Sequence, residues 1–336
     1  MRPAIIGAGA ISALHLQALA GMDEIEAVAI ADIDGDRAGE AARQHTIRAY
    51  TDYRLMVEKE KPDIVVITLP HHLHRDCAIW CAQSGCHILL EKPMAIRAED
   101  CDEIIGVVND RKVKLMVGHT QHYFAENIKA REMIESGQLG KLVMINDVRH
   151  VDYYADSRPG WFFETAKSGG GIAMNLGSHA IDRIQWLTDS KIAQVKASVS
   201  FYGTRGDIEG SLTAFVRTDR GLPCVISQSG YGGVNRDETE LVFTEGMLKL
   251  RTGAGLWVGR SGEYRQVETI QNEPPFVLQY RDLLDCIRAD AVPECSGEYS
   301  KSVVSAVQAI YASHRSGQEV ALNQQQGGTL ACSTAT

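Results

Sequence analysis

Up to residue 120 the chain alternates short apolar runs with amphipathic stretches. The apolar runs fall at 4–6, 27–31, 64–69, 87–90 and 114–117. Between them, helical patterns occupy 11–20, 36–44, 74–84 and 98–110. Strands separated by helices at this rhythm predict a doubly wound parallel sheet with helices on both faces. After residue 120 the rhythm changes. A helix is expected near 125–136, ending at Gly137, then a strand near 142–150 and a loop carrying Pro159 and Gly160. Gly169-Gly170-Gly171 opens a helical pattern over 172–188. From 192 to 268 the chain reads as successive strands parted by Gly and Asp turns, which predicts an antiparallel sheet. Two further helices are expected near 276–289 and 299–316. The division that follows is a Rossmann domain over 1–120, an α/β domain over 121–322 and a disordered polar tail over 323–336.

Composition narrows the function classes. With 336 residues, 44% hydrophobic and 23% charged, the chain suits two soluble globular domains. A formal net charge of -9 argues against nucleic acid as the main partner, because phosphate binding needs concentrated Lys and Arg. No apolar stretch approaches the ~20 residues that span a bilayer, and the start lacks a signal-peptide core. Neither a membrane nor a secreted context is expected. The eight cysteines follow no disulfide spacing and read as reduced core residues, which together point to the cytoplasm.

Chemistry enters at Gly7-Ala8-Gly9-Ala10-Ile11-Ser12, between the first strand and the first helix. Gly7 suits a tight turn, and Gly9 lets backbone approach a pyrophosphate seated on the amides of Ala10 and Ile11. Ser12 replaces the third glycine of the usual fingerprint and is small enough for close packing. Asp32 ends the second strand, where an acid accepts hydrogen bonds from the adenine ribose. A carboxylate there repels a 2′-phosphate, and no Arg or Lys follows directly; Arg37 reads as a solvated helix residue. NAD is therefore favoured over NADP.

Two more signatures accompany the fingerprint. Glu91-Lys92-Pro93 lies at the carboxyl edge of the parallel sheet, and the triple glycine is followed by Asn175, Gly177, His179 and Asp182. With the segment from Pro70 to His74, the combination resembles the Gfo/Idh/MocA family over residues 2–320. The resemblance implies a nicotinamide-dependent oxidoreductase of sugars, glycosides or cyclitols, with a Rossmann domain followed by an α/β domain whose large, open antiparallel sheet pairs into homodimers or homotetramers. It implies cofactor contacts at Pro70, His74, Glu91 and Lys92, a cis bond between Lys92 and Pro93, and chemistry at Lys92 and His179. Asn175 stands where the family often has Asp, and His122 where it tends to have Arg.

The residue types agree with those roles. Oxidising an alcohol requires loss of a hydride and of a proton. His179 suits the proton step because imidazole titrates near the operating pH. The Lys92 ammonium can stabilise a developing alkoxide. Asn175, His179 and Asp182, at i, i+4 and i+7, share one helical face. Asn175 can orient the imidazole or the substrate. His119, His122, Arg149, His150, Tyr153 and Trp161 are candidates for a sugar pocket, with Tyr153 or Trp161 stacking on the ring. His71, His72 and His74 crowd together, but adjacent histidines at a strand end diverge and no metal is expected. Two other readings remain open: a tightly held NAD used for transient oxidation in elimination or glycoside cleavage, and a non-catalytic sensor on the same fold.

Overall fold

The computed structural model describes residues 1–322, so the tail expected over 323–336 lies outside the described residues. The chain forms two compact units. The first comprises Met1–Thr120 with Asn272–Lys301, and the second comprises Gln121–Gln271 with the chain from Ser302 onward.

In the first unit six short strands are all parallel: β1 (Pro3–Ile6), β2 (Ala29–Ala31), β3 (Arg48–Tyr50), β4 (Ile64–Ile67), β5 (His87–Leu90) and β6 (Leu115–Val117). Their order is β3-β2-β1-β4-β5-β6, the doubly wound arrangement whose ligands bind beyond the carboxyl ends of the strands. The central strands β1 and β4 are buried at every position, which is why they read as unbroken apolar runs. The crossovers carry α1 (Ala10–Ala20), α2 (Gly35–His45), α3 (Tyr53–Glu60), α4 (His74–Gln83) and α5 (Ala98–Arg111). Asp34 caps α2 by accepting from the Arg37 amide, and Asp52 caps α3 through the amides of Arg54 and Leu55.

The second unit begins with α6 (Ala125–Glu135), β7 (Leu142–His150) and the single turn α7 (Thr165–Ser168). A π-helical turn at Ala173–Gly177 runs directly into α8 (Ser178–Thr188). Then come β8 (Ile192–Ser200), β9 (Ser211–Thr218), β10 (Pro223–Ser229), β11 (Arg236–Phe243), β12 (Gly246–Arg251), β13 (Gly255–Arg260) and β14 (Glu263–Val267). Next, α9 (Pro275–Arg288) lies in the first unit, whereas the sequence division put that stretch in the second domain. Its apolar face explains the placement: Val277, Tyr280, Leu283 and Leu284 join Ile5, Leu16 and Leu19 in one core. The helix α10 (Gly297–Ser316) and the short β15 (Val320–Ala321) follow.

The second sheet has nine strands in the order β14-β13-β12-β11-β7-β10-β9-β8-β15. It is antiparallel at every pairing except one. β7 and β10 run parallel, because β7 takes a central place and the chain crosses over through α8 before the remaining strands are added.

Candidate active site

The sequence folds the first unit so that the candidate residues Gly7, Gly9, Asp32, Pro70 and Glu91 follow the carboxyl ends of parallel strands. Gly7 sits at φ +102°, where a Cβ would lie 2.8 Å from the Thr68 carbonyl, so only glycine fits the turn. At Gly9 a Cβ would meet nothing within 4 Å, which leaves open space in front of the backbone. Helix α1 has no side-chain N-cap and no acid in its first turn. Its amides at Ala10 and Ile11 are therefore placed to receive an anion. Asp32 accepts the Ala8 amide at 2.7 Å and the Asp34 amide at 2.9 Å. Arg37 is not simply solvated. It lies 3.8 Å from Asp32 and 3.1 Å from Asp34. The uncapped helix, the open space at Gly9 and the fixed Asp32 fit a dinucleotide.

Pro70 leads a short helical turn at His71–Leu73. His74 is fully buried, its Nδ1 2.9 Å from the Pro93 carbonyl and its Nε2 2.8 Å from the Leu69 carbonyl. Burial pulls its pKa down against those two carbonyls. The ring thus ties the end of β4 to the turn at Lys92–Pro93, whose peptide bond is cis as the resemblance implied. Glu91 is buried. Its Oε1 lies 3.0 Å from His15 Nε2, and its Oε2 accepts the Lys92 amide at 3.2 Å. Burial pushes the Glu91 carboxyl up, but the His15 bond and the charges of His15 and Lys92 outweigh it and leave the pKa below the ordinary value. His119, also in this unit, is buried beside Ser300 Oγ at 3.1 Å and edge-on to Tyr299.

In the second unit, between Gly170 and Leu187 every residue is buried except His179. The helix start is clamped by Glu209, a buried carboxylate that accepts the amides of Gly171 and Ala173 at 2.9 Å and the Tyr311 hydroxyl at 2.7 Å. Burial raises the Glu209 pKa even so. The π turn widens the chain at Asn175, whose Nδ2 donates to the Tyr153 hydroxyl at 3.1 Å. Arg158 covers the Tyr153 ring at 3.9 Å. Asp182 is wholly buried. It meets His122 Nε2 at 2.7 Å and accepts from the Gln121 amide, which also donates to the His179 carbonyl at 2.8 Å. Asn175 lies in the π turn, and His179 and Asp182 lie in the α-helix that continues it.

His122 is stacked on Trp186 with ring centroids 4.6 Å apart. It is built into the support of α8. One turn beyond His179, Arg183 lies 3.0 Å from Asp147 and 2.6 Å from Thr239 Oγ1. Arg149 pairs with Asp237 at 3.2 Å across β7 and β11. His150 ends β7 opposite Arg236, and Trp161, half-buried, stacks on Phe162. The structure therefore joins Asn175 to Tyr153 and Glu91 to Lys92. It adds Gln121, Arg183, Glu209 and His15, which local sequence patterns did not single out. Among the described residues no group of three or more His, Cys, Asp or Glu side chains is placed to hold a metal. The seven described cysteines are free and buried. No described helix is long and apolar enough to cross a membrane.

The chain is similar to known proteins over most of its length. Residues 1–119 match the model of an oxidoreductase family with an NAD-binding Rossmann fold, and residues 127–249 match the GFO/IDH/MocA C-terminal domain. The two matches together cover more than two thirds of the chain, which is an NAD-binding oxidoreductase and belongs to the GFO/IDH/MocA family. An inositol 2-dehydrogenase of Salmonella typhimurium is 26% identical over 310 residues, 87% of this chain and 88% of that protein. A 1-carboxy-3-chloro-3,4-dihydroxycyclohexa-1,5-diene dehydrogenase of Comamonas testosteroni is 27% identical over 239 residues, 71% of this chain. The match spans 60% of that relative's length. Among solved structures, levoglucosan dehydrogenase in complex with NADH shares the fold with a TM-score of 0.88 at 22% identity, covering 97% of this chain and 100% of that one. Aldose-aldose oxidoreductase from Caulobacter crescentus, complexed with glycerol, superposes with a TM-score of 0.89 at 22% identity over 96% and 99% of the two chains.

Proposed function

We propose that this oxidoreductase converts a ring hydroxyl of a sugar, glycoside or cyclitol to a ketone. NAD, when bound, supplies the hydride acceptor. His179 takes the hydroxyl proton as general base, and the Lys92 ammonium stabilises the oxygen as negative charge develops on it. Asn175, held by Tyr153, orients the imidazole or a neighbouring hydroxyl. The observation that carries this reading is the partial exposure of His179 alone within a segment otherwise buried from Gly170 to Leu187. A packed structural histidine would be closed off like its neighbours. The names of relatives that act on inositol and levoglucosan support the substrate class.

The test is a panel of cyclitols, aldoses and anhydrosugars, myo-inositol and levoglucosan included, incubated with NAD while NADH absorbance is followed. Net NADH formation on at least one member is expected. If no member reduces NAD, and NAD stays bound through purification, transient oxidation without net turnover of the cofactor takes this reading's place.

The same reading has the chain self-associate through its nine-stranded sheet. Phe215, Val225, Asn146, Glu240, Lys249 and Trp257 stand in register across six strands on one face. A mixed row of this kind suits an interface between copies. Light scattering behind size exclusion is expected to give an even-numbered oligomer, and a monomer at micromolar concentration counts against it.

A further inference from the structure

The buried groups around Glu91 do something that the family signature does not require. His15 lies in the second turn of α1, the helix whose first turn is placed to receive the pyrophosphate. Its Nε2 is 3.0 Å from Glu91 Oε1, and its Nδ1 is 2.9 Å from the Tyr280 hydroxyl. Phe276 holds the same ring edge-on at 5.0 Å. Tyr280 and Phe276 both belong to α9. Glu91 in turn accepts the amide of Lys92. Gly118 packs against the carboxylate so closely that a Cβ there would lie 3.0 Å from Oε1 and 3.2 Å from Cδ. His15 and Tyr280 are fully buried and Glu91 nearly so.

We infer that His15, Glu91 and Tyr280 form a brace that sets both the place and the charge of Lys92 relative to the cofactor helix. The inference rests on the reading of Lys92 as the residue that stabilises developing negative charge. Glu91, Lys92, His15, His74 and Tyr280 are charged or titratable groups that act on one another here. A carboxylate beside an ammonium keeps it protonated. In water-free surroundings that influence is strong, provided the carboxylate itself is held by hydrogen bonds. His15 and the Lys92 amide provide them. His15, Glu91 and Tyr280 are therefore positioning residues, acting on the reaction through Lys92.

The experiment follows the Lys92 ammonium by NMR in protein carrying isotope-labelled lysine, its resonance identified by loss in Lys92→Arg. Glu91→Gln keeps the size of the side chain and removes its charge. Gly118→Ala keeps the identity of all three brace residues and presses its Cβ against the Glu91 carboxylate. In both variants the Lys92 pKa is expected to fall, because a negative charge that favours the ammonium is removed or moved. Turnover on whichever sugar or polyol reduces NAD should fall by up to ~10²-fold, the cost of a catalytic group misplaced by about 1 Å. His15→Gln, which retains a donor, should lose less than His15→Ala. Thermal unfolding and NAD titration establish that each variant is folded. An unmoved Lys92 titration in folded Glu91→Gln and Gly118→Ala overturns the brace. A shifted titration combined with normal turnover in Lys92→Ala supports the brace and instead removes the catalytic reading of Lys92.

Discussion

The Nδ2 of Asn175 donates to the hydroxyl of Tyr153 at 3.1 Å, one helical turn before His179. This bond fixes the amide's orientation, so its oxygen faces away from the tyrosine. Asn175→Asp places a carboxylate near His179. The negative charge favours the imidazolium and raises the histidine pKa. The base-active form then appears at higher pH, and the pH profile of alcohol oxidation should move upward. An unchanged or lowered profile, measured with the same substrate, counts against Asn175 acting on His179.

Removing the base is expected to cut turnover by ~10²–10⁴-fold in His179→Ala. Lys92→Ala should be at least as damaging, because it deletes a positive charge where negative charge develops. In His179→Ala the NAD affinity should hold within a few-fold, since the fingerprint and Asp32 are in the other unit. Steady-state kinetics beside a cofactor titration separates the two effects. Near-normal turnover in His179→Ala sinks the assignment.

Asp32 accepts the amides of Ala8 and Asp34 and so orders the glycine loop; we propose that its charge also discriminates between the cofactors. Asp32→Ser should weaken NAD binding and narrow the gap to NADP, since the repulsion of a 2′-phosphate is lost. Arg37, 3.8 Å away, is then released in part to meet that phosphate. Calorimetric titration with both nucleotides is the measurement, and equal affinity of the unmodified protein for the two would refute the preference.

Gly171 marks the start of the buried helix. A Cβ there runs into the Glu209 carbonyl and lies 2.9 Å from the Ile208 side chain. Gly171→Ala should cost several kcal/mol, in the range of severe core substitutions. Denaturant unfolding reads the loss directly. A change below about 0.5 kcal/mol, the size of a surface substitution, would show that the turn relaxes freely.

Glu91 predicts a pH dependence of stability. Its folded pKa lies below the ordinary carboxylate value because His15 and Lys92 favour the anion over the cost of burial. The stabilisation is fully present above the unfolded pKa, near 4.3, and drains away as pH falls through the lower folded value. Unfolding temperatures should therefore decline from about pH 5 downward. Glu91→Gln should be less stable at neutral pH and show a shallower acid decline. Parallel curves for the two proteins would exclude this contribution.

The parallel sheet was legible because β1 and β4 are buried throughout and leave apolar runs that any periodicity shows. β3 and α3 were not read. β3 is three residues long and largely exposed, so Arg48, Ala49 and Tyr50 carry no strand signal. The cofactor loop was legible because its chemistry is local: Gly7, Gly9 and a strand-ending acid. The supports of the second unit were not. Gln121 bonds Asp182 over 61 residues of chain, and Glu209 meets Gly171 over 38. Such contacts leave no periodic trace. His122 read as a pocket residue for the same reason, since its partners Asp182 and Trp186 come from another helix. The parallel pairing of β7 with β10 likewise depends on which strand inserts centrally, which alternation cannot reveal.

The return of the chain at Asn272–Lys301 to its first unit has a bearing on synthesis. When the ribosome has finished the six strands of that unit, Tyr280 has not been made, and His15 has no hydroxyl to meet. Ile5, Leu16 and Leu19 likewise still lack the apolar face of α9. The nucleotide-binding half must wait, partly unsealed, until residues 272–301 have been made. A fragment cut at residue 120 should therefore collect in inclusion bodies, whereas the same fragment fused to 272–301 through a flexible linker should stay in the lysate supernatant.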